Sequence, residues 1–422
     1  MARIRGDGSS GKGAVMLSAH LDTVKAPKEN WEEAGWKHDP FGAEIDEEDG
    51  CIYGRGTIDM KNMAAMSAAV LLFIARSGIK LTRDLIFAAV ADEENVNSAY
   101  GAKYLLENHS DLIACDVVFT EVGGFTMFLN EKRCVPVMIS EKGASTIRVT
   151  SRGMGGHGST FHKHNPIAKI SEVCLKVANN RLPHRVTNSC RTTFEGLAQF
   201  VPWPTSQAFK LLLSPRWHSW VLDYLLTEDQ YKSLGPLLFN VSNPVIVQAG
   251  EAMNQIPSAA YVDLDTRTLP GVTSAEVEEE LKNLIGREKF EPTMKPDGSE
   301  TPPELIMETL RCAPGFEQDP TDLHLAEVLE VIARVVSDLD NGTPIIPNLL
   351  PGHTDCTFYM QLHSKPACFG FSPVFMPPGV SFASLFHGTN ERIPVHGFKW
   401  GMAILMQTVT ELCGGVQPKT AL

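Results

Sequence analysis

The sequence has 422 residues, of which 43% are apolar and 21% charged, and this composition predicts a globular protein of two domains. Its formal net charge of −13 argues against a nucleic-acid partner and against docking on an anionic membrane, because both require a basic surface. No stretch reaches the roughly 18 apolar residues that a membrane span needs. Nine scattered cysteines without a CxxC pair indicate reduced thiols, and we therefore expect a cytoplasmic protein.

The first third of the chain alternates between strand and helix patterns. Apolar strands are predicted within residues 13–24, 81–94 and 115–124, and the opening "MARIRG" can supply another. Helices are predicted from Met60 to Ser77, with Gly78 as a suitable stop, and over 98–110. This alternation favours an α/β domain with a mixed, mostly parallel sheet covered by helices. Sites in such sheets lie beyond the carboxyl ends of the strands.

The middle of the chain has the pattern of a smaller α+β domain with an antiparallel sheet. It contains alternating strands within 144–153 and 259–270 and helices over 165–180 and 273–286. Residues 201–238 consist of helical pieces broken by prolines, which indicates an insertion, and 294–304 has the composition of a linker. We therefore predict a first domain that is interrupted by the second, with the boundaries 1–142, 143–300 and 301–422.

Histidines and carboxylates collect at the predicted strand ends. These residues are His20, Asp22, Asp59, Glu93, Glu94, Glu121 and, near the C-terminus, His387. Two imidazoles and three carboxylates, one of them bridging, suffice for a dinuclear zinc site, and a further carboxylate can serve as the base. The adjacent Glu93 and Glu94 would repel each other at a buried strand end, and a cation removes that objection. Taken alone, "HLD" is equally compatible with a polar pair that caps a strand.

An ordered set of motifs makes the interpretation specific. The segments "SAHLDTV", "GRGTIDMK", "ADEE", "TEVGG", "RGMGGHGS", "NQIP", "DTRTLPG" and "FHGTNERIP" occur in this order. The chain thereby resembles the dinuclear zinc metallopeptidases of family M20, which include acetylornithine deacetylase, succinyl-diaminopimelate desuccinylase, aminoacylase and glutamate carboxypeptidase. The resemblance spans roughly residues 14 to 400. It implies a zinc-exopeptidase-like catalytic domain that is interrupted by a lid or dimerisation domain.

The resemblance implies a role for each residue of the cluster. The ligands of two Zn²⁺ ions, for which Co²⁺ and Mn²⁺ are alternatives, would be His20, Asp59, Glu94, Glu121 and His387, with Asp59 bridging. Glu93 resembles the general base, and Asp22 resembles the residue that orients His20. A cis peptide bond is expected at Asp59–Met60.

The lid domain is expected to contribute to the site as well. His157 resembles the histidine that polarises the scissile carbonyl in the active site of the partner subunit of a homodimer. Asn254 and Arg267 resemble residues that hold the free carboxylate of the substrate. The alternatives are a histidine in a glycine-rich loop that binds nothing and a surface arginine paired with Asp263 or Asp265.

Two further expectations concern the insertion and the start of the chain. Trp203, Trp217 and Trp220 of the insertion are expected in the core of the lid, with a roomy apolar pocket as the alternative. Only nineteen residues precede His20, so the helices that usually come before the first motif of the family have no counterpart here. The carboxylate and histidine positions are unaffected by that difference.

The sequence thus predicts a dinuclear zinc amidohydrolase that cleaves N-acyl amino acids or C-terminal residues of short peptides. Glutamate rather than aspartate at position 121 tends to accompany deacylases and carboxypeptidases in the resembled family. The alternatives are a dipeptidase or aminopeptidase on the same scaffold and, from another class, a non-catalytic binding or scaffolding protein. Retention of all five ligands and the base disfavours the last of these.

Overall fold

The structure is a computed structural model that describes residues 1–415 apart from 96–98, 130, 298, 320–321 and 381. The elements of the first segment are β1 (Ala2–Ile4), β2 (Val15–His20), β3 (Ile45–Asp46), β4 (Cys51–Tyr53), α1 (Lys61–Ser77), β5 (Leu85–Val90), α2 (Ala102–Asn108), β6 (Val117–Thr120), β7 (Met127–Leu129) and β8 (Lys132–Glu141). Helix α1 ends where predicted, because Gly78 adopts the left-handed conformation with a φ of 71°.

The second segment builds the lid. Its elements are β9 (Gly143–Arg152), β10 (Gly156–His157), α3 (Pro166–Asn179), α4 (Asn188–Ala198), α5 (Thr205–Leu212), α6 (His218–Tyr224), α7 (Glu228–Leu234), β11 (Val241–Ala249), β12 (Gln255–Ile256), β13 (Ala259–Thr268), α8 (Ser274–Ile285), β14 (Thr293–Met294), β15 (Glu300–Thr301) and β16 (Leu305–Ala313). Local signals set the helix starts: Asn165 caps α3 ahead of Pro166, and Thr273 forms a capping box with Glu276 in α8.

The third segment returns to the catalytic domain. It comprises β17 (Phe316–Glu317), α9 (Leu323–Leu339), β18 (Ile345–Leu350), α10 (Cys356–Tyr359), β19 (Ala367–Gly370), α11 (Phe382–Leu385), β20 (Arg392–Pro394) and α12 (Val395–Leu412). None of the helices within the described residues is long and apolar enough to cross a membrane.

A nine-stranded mixed sheet forms the centre of the catalytic domain. Its main order is β1-β5-β2-β6-β19-β8-β17, and β18 and β7 also pair with β8. The pairings of β5, β2, β6 and β19 with one another are parallel, whereas β1, β17 and β7 join antiparallel. The predicted α/β fold with a mostly parallel sheet is confirmed. The opening residues also form a strand, as predicted.

Helices cover both faces of this sheet. Val15 and Leu17 of β2 pack with α1, α9 and α12, whereas Met16 points to the other face, toward α2 and α10. Because successive strand residues alternate between faces, a strand buried on both sides is apolar throughout. The polar residues that follow such a strand therefore mark its end.

The lid has a four-stranded antiparallel sheet of order β11-β13-β9-β16. Strand β16 lies beyond residue 300, so the lid sheet extends to Ala313 and not to the boundary predicted from the linker composition. The reason is that 293–301 forms a short hairpin inside the lid, of strands β14 and β15, and does not connect the two domains.

The two domains are joined by a narrow connection. Lys142 alone separates β8 from β9, and residues 314–315 separate β16 from β17. The two crossings lie against each other, since a Cβ atom on Gly143 would lie only 2.6 Å from the backbone nitrogen of Gly315. Glycine is therefore needed there for close backbone contact.

The insertion and the preceding helix α4 form a third packed region between the domains. Apolar residues of α4, α5 and α6, including Phe194 and Phe209, pack with Ile346 and Leu349 of the central sheet. The tryptophans expected in the lid core are partly exposed instead: Trp203 is 77%, Trp217 44% and Trp220 47% exposed. Leucines and phenylalanines fill this core, so that prediction was wrong for all three tryptophans.

Candidate active site

All five predicted ligands and the predicted base converge at the carboxyl edge of the central sheet. His20 ends β2, Glu93 and Glu94 follow β5, and Glu121 follows β6. Asp59 precedes α1 and His387 follows α11, and the Asp59–Met60 peptide bond is cis, as expected. Neighbouring parallel strands end at one edge of a sheet, so residues far apart in sequence meet there.

Asp59 lies between two groups of possible ligands. Its Oδ1 atom is 3.0 Å from Nε2 of His20, and its Oδ2 atom is 2.8 Å from Nε2 of His387. Glu121 joins the first group, with its carboxylate 3.6 Å from His20. Glu94 joins the second, 3.2 Å from His387. Asp59 thus presents one oxygen to each group, which is the geometry of a bridging carboxylate.

The cluster holds more buried negative charge than its histidines neutralise. Burial raises the pKa of Glu93 well above its usual range, and the nearby charge of Glu121 adds to this. Burial likewise raises the pKa of Glu121 to about 7. Hydrogen bonds to Asp59 and Glu94 raise the pKa of His387 to about 10. Divalent cations would relieve this excess, and the set of imidazoles and carboxylates is one that zinc accepts.

Asp22 occupies a different position from the one expected. Its carboxylate is 3.7 Å from Nδ1 of His20, whereas its backbone carbonyl oxygen is 3.0 Å from that nitrogen. The carboxylate accepts hydrogen bonds from the backbone N–H groups of Glu93, at 3.4 Å, and Glu94, at 3.1 Å. Asp22 therefore orients His20 through its main chain and fixes the two glutamates through its side chain.

A buried ion pair behind the cluster was missed from the sequence. Glu391 is fully buried, and its Oε1 accepts hydrogen bonds from the backbone N–H groups of Gly56, Ile58 and Asp59 at 2.8–3.1 Å. Its Oε2 lies 2.7 Å from Arg55, which also donates to the carbonyl oxygen of His387 at 3.3 Å. The pair thus joins the loops that carry Asp59 and His387. An acid four residues after a candidate ligand, directly before the short strand β20, was the available signal.

The cluster opens into a cavity of about 440 Å³. Four of the acidic residues, His387 and Arg267 line it, as do apolar side chains that include Phe125, Phe382 and Phe386. The rings of Phe125 and Phe382 stack at a centroid distance of 4.2 Å. Arg267 also forms an ion pair with Asp265, at 2.9 Å, which is the alternative that the sequence left open for this arginine. Arg267 thus lines the cavity and pairs with an aspartate at the same time.

Two predicted site residues lie elsewhere in the chain. His157 and Asn254 are both exposed on the lid, where strand β10 pairs with β12. Nδ1 of His157 is 2.7 Å from the hydroxyl of Ser159, and the carbonyl oxygen of Asn254 accepts from the N–H of Gly158. Neither residue lines the cavity that contains the metal-ligand candidates.

Comparison with known proteins places the chain in a family. The model of peptidase family M20/M25/M40 matches residues 16–411. The N-fatty-acyl-amino acid synthase/hydrolase PM20D1 of Xenopus tropicalis is 26% identical over 385 residues, which cover 90% of this chain and 68% of that protein. The M20 metallo-carboxypeptidase Sso-CP2 from Sulfolobus solfataricus has a TM-score of 0.64 at 15% identity, covering 97% of this chain and 86% of its own.

A further solved structure carries a description of its metal content. The YXEP protein of Bacillus subtilis, described as a dinuclear metal binding peptidase of family M20, has a TM-score of 0.54 at 12% identity and covers 98% of this chain and 85% of its own. Together, the fold, the cluster and the family match define a metal-dependent hydrolase. The chain belongs to peptidase family M20/M25/M40, as the ordered motifs predicted.

Proposed function

We propose that this enzyme uses two zinc ions to hydrolyse the amide bond of N-acyl amino acids, or of short peptides with a free C-terminal carboxylate. The observation that carries the proposal is the position of Asp59, which offers one oxygen to each of two ligand groups. His20 and Glu121 would hold one ion, and Glu94 and His387 the other. When bound, the ions supply Lewis acidity and lower the pKa of a water molecule.

Glu93 is the residue suited to proton transfer. It lines the cavity, stands next to Glu94 and lies 3.9 Å from His20, yet belongs to neither ligand group. Its carboxylate would take a proton from the attacking water and deliver it to the leaving amine. Burial favours the protonated form of this carboxyl, which suits a group that must hold a proton between these two events.

The cavity indicates which ends of the substrate it accepts. Arg267 supplies a cation for the carboxylate, since a guanidinium binds carboxylates through paired hydrogen bonds. The three phenylalanines of the cavity, together with Val122 and Leu350, form an apolar wall. We infer that the acyl group is apolar. The Xenopus relative, named for N-fatty-acyl-amino acids, supports this choice.

His157 and Asn254 would act on the active site of a second subunit. Both are exposed and neither lines the cavity of their own chain, which supports a role in the site of a partner. Strand β11 lies at the edge of the lid sheet, and its Val245, Ile246 and Val247 are more than half exposed. An edge strand with exposed apolar residues is suited to pairing with a second copy. His157 would then stabilise the oxyanion, and Asn254 would contact the substrate carboxylate.

The cysteines support a reducing compartment for this activity. All nine are free thiols, and seven of them are buried. Because disulfides are rare where thiols are kept reduced, we propose a cytoplasmic location.

The test is hydrolysis of a panel of N-acyl amino acids and dipeptides by the purified chain, with metal content measured. Assays are run before metal removal, after it, and after zinc, cobalt or manganese is restored. We expect zinc-dependent release of the free amino acid, fastest for apolar acyl groups. Turnover only of substrates with a free amine would replace the proposal by a dipeptidase or aminopeptidase. Full activity without metal, or two bound metals without turnover of any substrate, would contradict it.

A further inference from the structure

The active-site cavity contains polar side chains that the proposed reaction does not use. His353 and Asn348 line the cavity together with Arg267, and none of the three belongs to a ligand group. His353 lies in the loop after β18 and is buried, with a side-chain exposure of 7%. The function of a histidine in this position therefore needs an explanation.

The ring of His353 faces Glu141, a buried acid with one carboxyl oxygen that has no hydrogen-bond partner. Its Nδ1 atom lies 3.6 Å from Oε1 of Glu141, and neither atom has a hydrogen-bond partner. The other oxygen of Glu141 accepts a hydrogen bond of 2.7 Å from the hydroxyl of Thr354. Buried polar atoms are rarely left unpaired, because burial removes their hydrogen bonds to water without replacing them. A proton shared between Nδ1 and Oε1 satisfies both atoms at once.

The surroundings determine which protons this pair carries. Burial raises the pKa of Glu141 well above its usual range and lowers the pKa of His353 to about 4, and the nearby charge of Arg267 contributes to the lowering. The carboxyl therefore keeps its proton, and Oε1 faces Nδ1 across the 3.6 Å that separates the two atoms. A neutral imidazole that accepts at Nδ1 carries its own hydrogen on Nε2. Nε2 is not among the buried unpartnered atoms, so it is the ring nitrogen that remains for a ligand in the cavity.

Arg267 leaves room for a second donor. Its Nε and Nη2 atoms are bound to the two oxygens of Asp265, at 2.9 and 3.3 Å. Asp265 partly neutralises the guanidinium and occupies the edge that a carboxylate would contact through both nitrogens. A carboxylate in the cavity is therefore bound through the remaining N–H groups of Arg267 and benefits from another donor.

We propose that His353, held by Glu141, donates its Nε2 hydrogen to the carboxylate of the substrate beside Arg267. His353 thereby selects substrates with a free carboxylate, and Glu141 is a positioning residue that fixes the tautomer of the ring. The inference deepens the proposed function and rests on it, because it assigns a further recognition residue to the same cavity.

The experiment compares each N-acyl amino acid with its carboxamide, which keeps the scissile bond and lacks the negative charge. In the wild type, kcat/KM should be higher for the carboxylate. His353→Ala should reduce kcat/KM for the carboxylate by about 10-fold or more, mainly through KM, because a hydrogen bond to the charged end of the substrate is lost. It should change kcat/KM for the carboxamide much less, and Arg267→Ala should show the same discrimination.

Variants of Glu141 separate recognition from a structural effect. Glu141→Gln keeps a hydrogen-bond donor toward Nδ1 and an acceptor for Thr354, so it should retain most of the preference for the carboxylate. Glu141→Leu should lose the preference as His353→Ala does. His184→Ala is the matched control, because His184 is also part-buried but bonds to Leu212 in the lid. Metal content is measured for every variant.

The outcomes distinguish this inference from the proposed function. Equal losses on carboxylate and carboxamide after His353→Ala would overturn the inference while wild-type turnover of N-acyl amino acids stands. Equal effects of Glu141→Gln and Glu141→Leu would remove Glu141 from its role. A wild type that does not hydrolyse N-acyl amino acids at all would overturn the proposed function itself.

Discussion

The catalytic edge of the central sheet and the β10–β12 ribbon of the lid both carry predicted site residues, but they hold them in opposite ways. The side chain of His20 is 1% exposed and lies within 4 Å of four carboxylates. His157 is exposed, and within the described part of the chain its Nδ1 hydrogen-bonds only to Ser159, a residue two positions away. The first region is preorganised within one chain. The second is the exposed surface that we propose to act on the site of a partner subunit.

Removing the proposed base should give the largest effect within the preorganised region. We expect Glu93→Ala to lower kcat by at least about 10²–10⁴-fold, because general base catalysis contributes that much. Zinc should stay bound, since Glu93 belongs to neither ligand group. Steady-state kinetics and elemental analysis of the same sample check this. Glu107→Ala, an exposed acid at the end of α2, is the control, and loss of metal from Glu93→Ala would contradict the assignment.

The lid prediction tests the opposite property, dependence on a second chain. His157→Ala should lower kcat by about 10²–10³-fold, as the loss of an oxyanion donor does. Mixing inactive Glu93→Ala with inactive His157→Ala under conditions of subunit exchange should restore part of the activity. In a mixed dimer, one site has an intact Glu93 and receives an intact His157 from its partner. An inactive mixture, with subunit exchange shown by mass spectrometry, would place both residues in one chain's site or in none.

The ion pair behind the cluster should affect metal binding more than chemistry. Glu391→Gln keeps an oxygen for the three backbone N–H groups but loses the charge that faces Arg55. We expect zinc affinity to fall by about 10–100-fold and saturating zinc to restore most of the turnover, since residues that support metal ligands act in this way. Titration with a chelator measures the affinity. Glu327→Gln, which removes a surface pair with Lys12, should leave it unchanged.

The smallest effect on activity is expected at Lys142, which connects the catalytic domain to the lid. There the expected effect is on the pH dependence of folding stability. Lys142 is buried and donates to the carbonyl oxygens of Pro236 and Phe239, and burial lowers its pKa to about 7. Between pH 7 and about 10 the unfolded chain therefore binds a proton that the folded chain does not. The folded state gains stability as pH rises through this range, by up to about 1.4 kcal/mol per pH unit.

Thermal unfolding at several pH values tests this sign. The melting temperature of the wild type should rise relative to that of Lys142→Met between pH 7 and pH 9. Lys80→Met, at an exposed position, should follow the wild type in parallel. Parallel curves for all three proteins would show that Lys142 keeps an ordinary pKa.

The sequence predicted best those features that depend on strand ends and helix stops. Apolar strands that end in His20, Glu93 and Glu121 could be recognised because a parallel sheet makes them apolar throughout and collects their ends at one edge. Gly78 stopped α1 as predicted. The end of the lid was predicted at residue 300, whereas the lid sheet extends to Ala313. The reason is that the hairpin of β14 and β15 is rich in turn residues and has the same composition as a linker.

Other features depend on contacts that no local pattern records. Glu391 and Arg55 are 336 positions apart, and only the folded chain shows that the acid binds the backbone around Asp59. The imidazole of His20 is likewise held by the backbone carbonyl oxygen of Asp22 rather than by its carboxylate. The backbone dihedral angles of this turn decide between the two, and the residue types alone do not reveal them. The prediction that the three tryptophans are buried was wrong, because large apolar side chains are buried only on average. Smaller apolar side chains already fill the space between the domains.

The close contact between Gly143 and Gly315 has a mechanical consequence. Two connecting segments that lie side by side could act as a hinge about which the lid rotates. Helix α4 opposes such rotation, because it packs Phe194 against Ile346 and Leu349 of the other domain, and opening that contact would expose apolar surface at a cost of about 25 cal/mol per Å². The joint is therefore stiff at rest. A stiff joint keeps His157 where it lies, apart from the residues that line the cavity of its own chain.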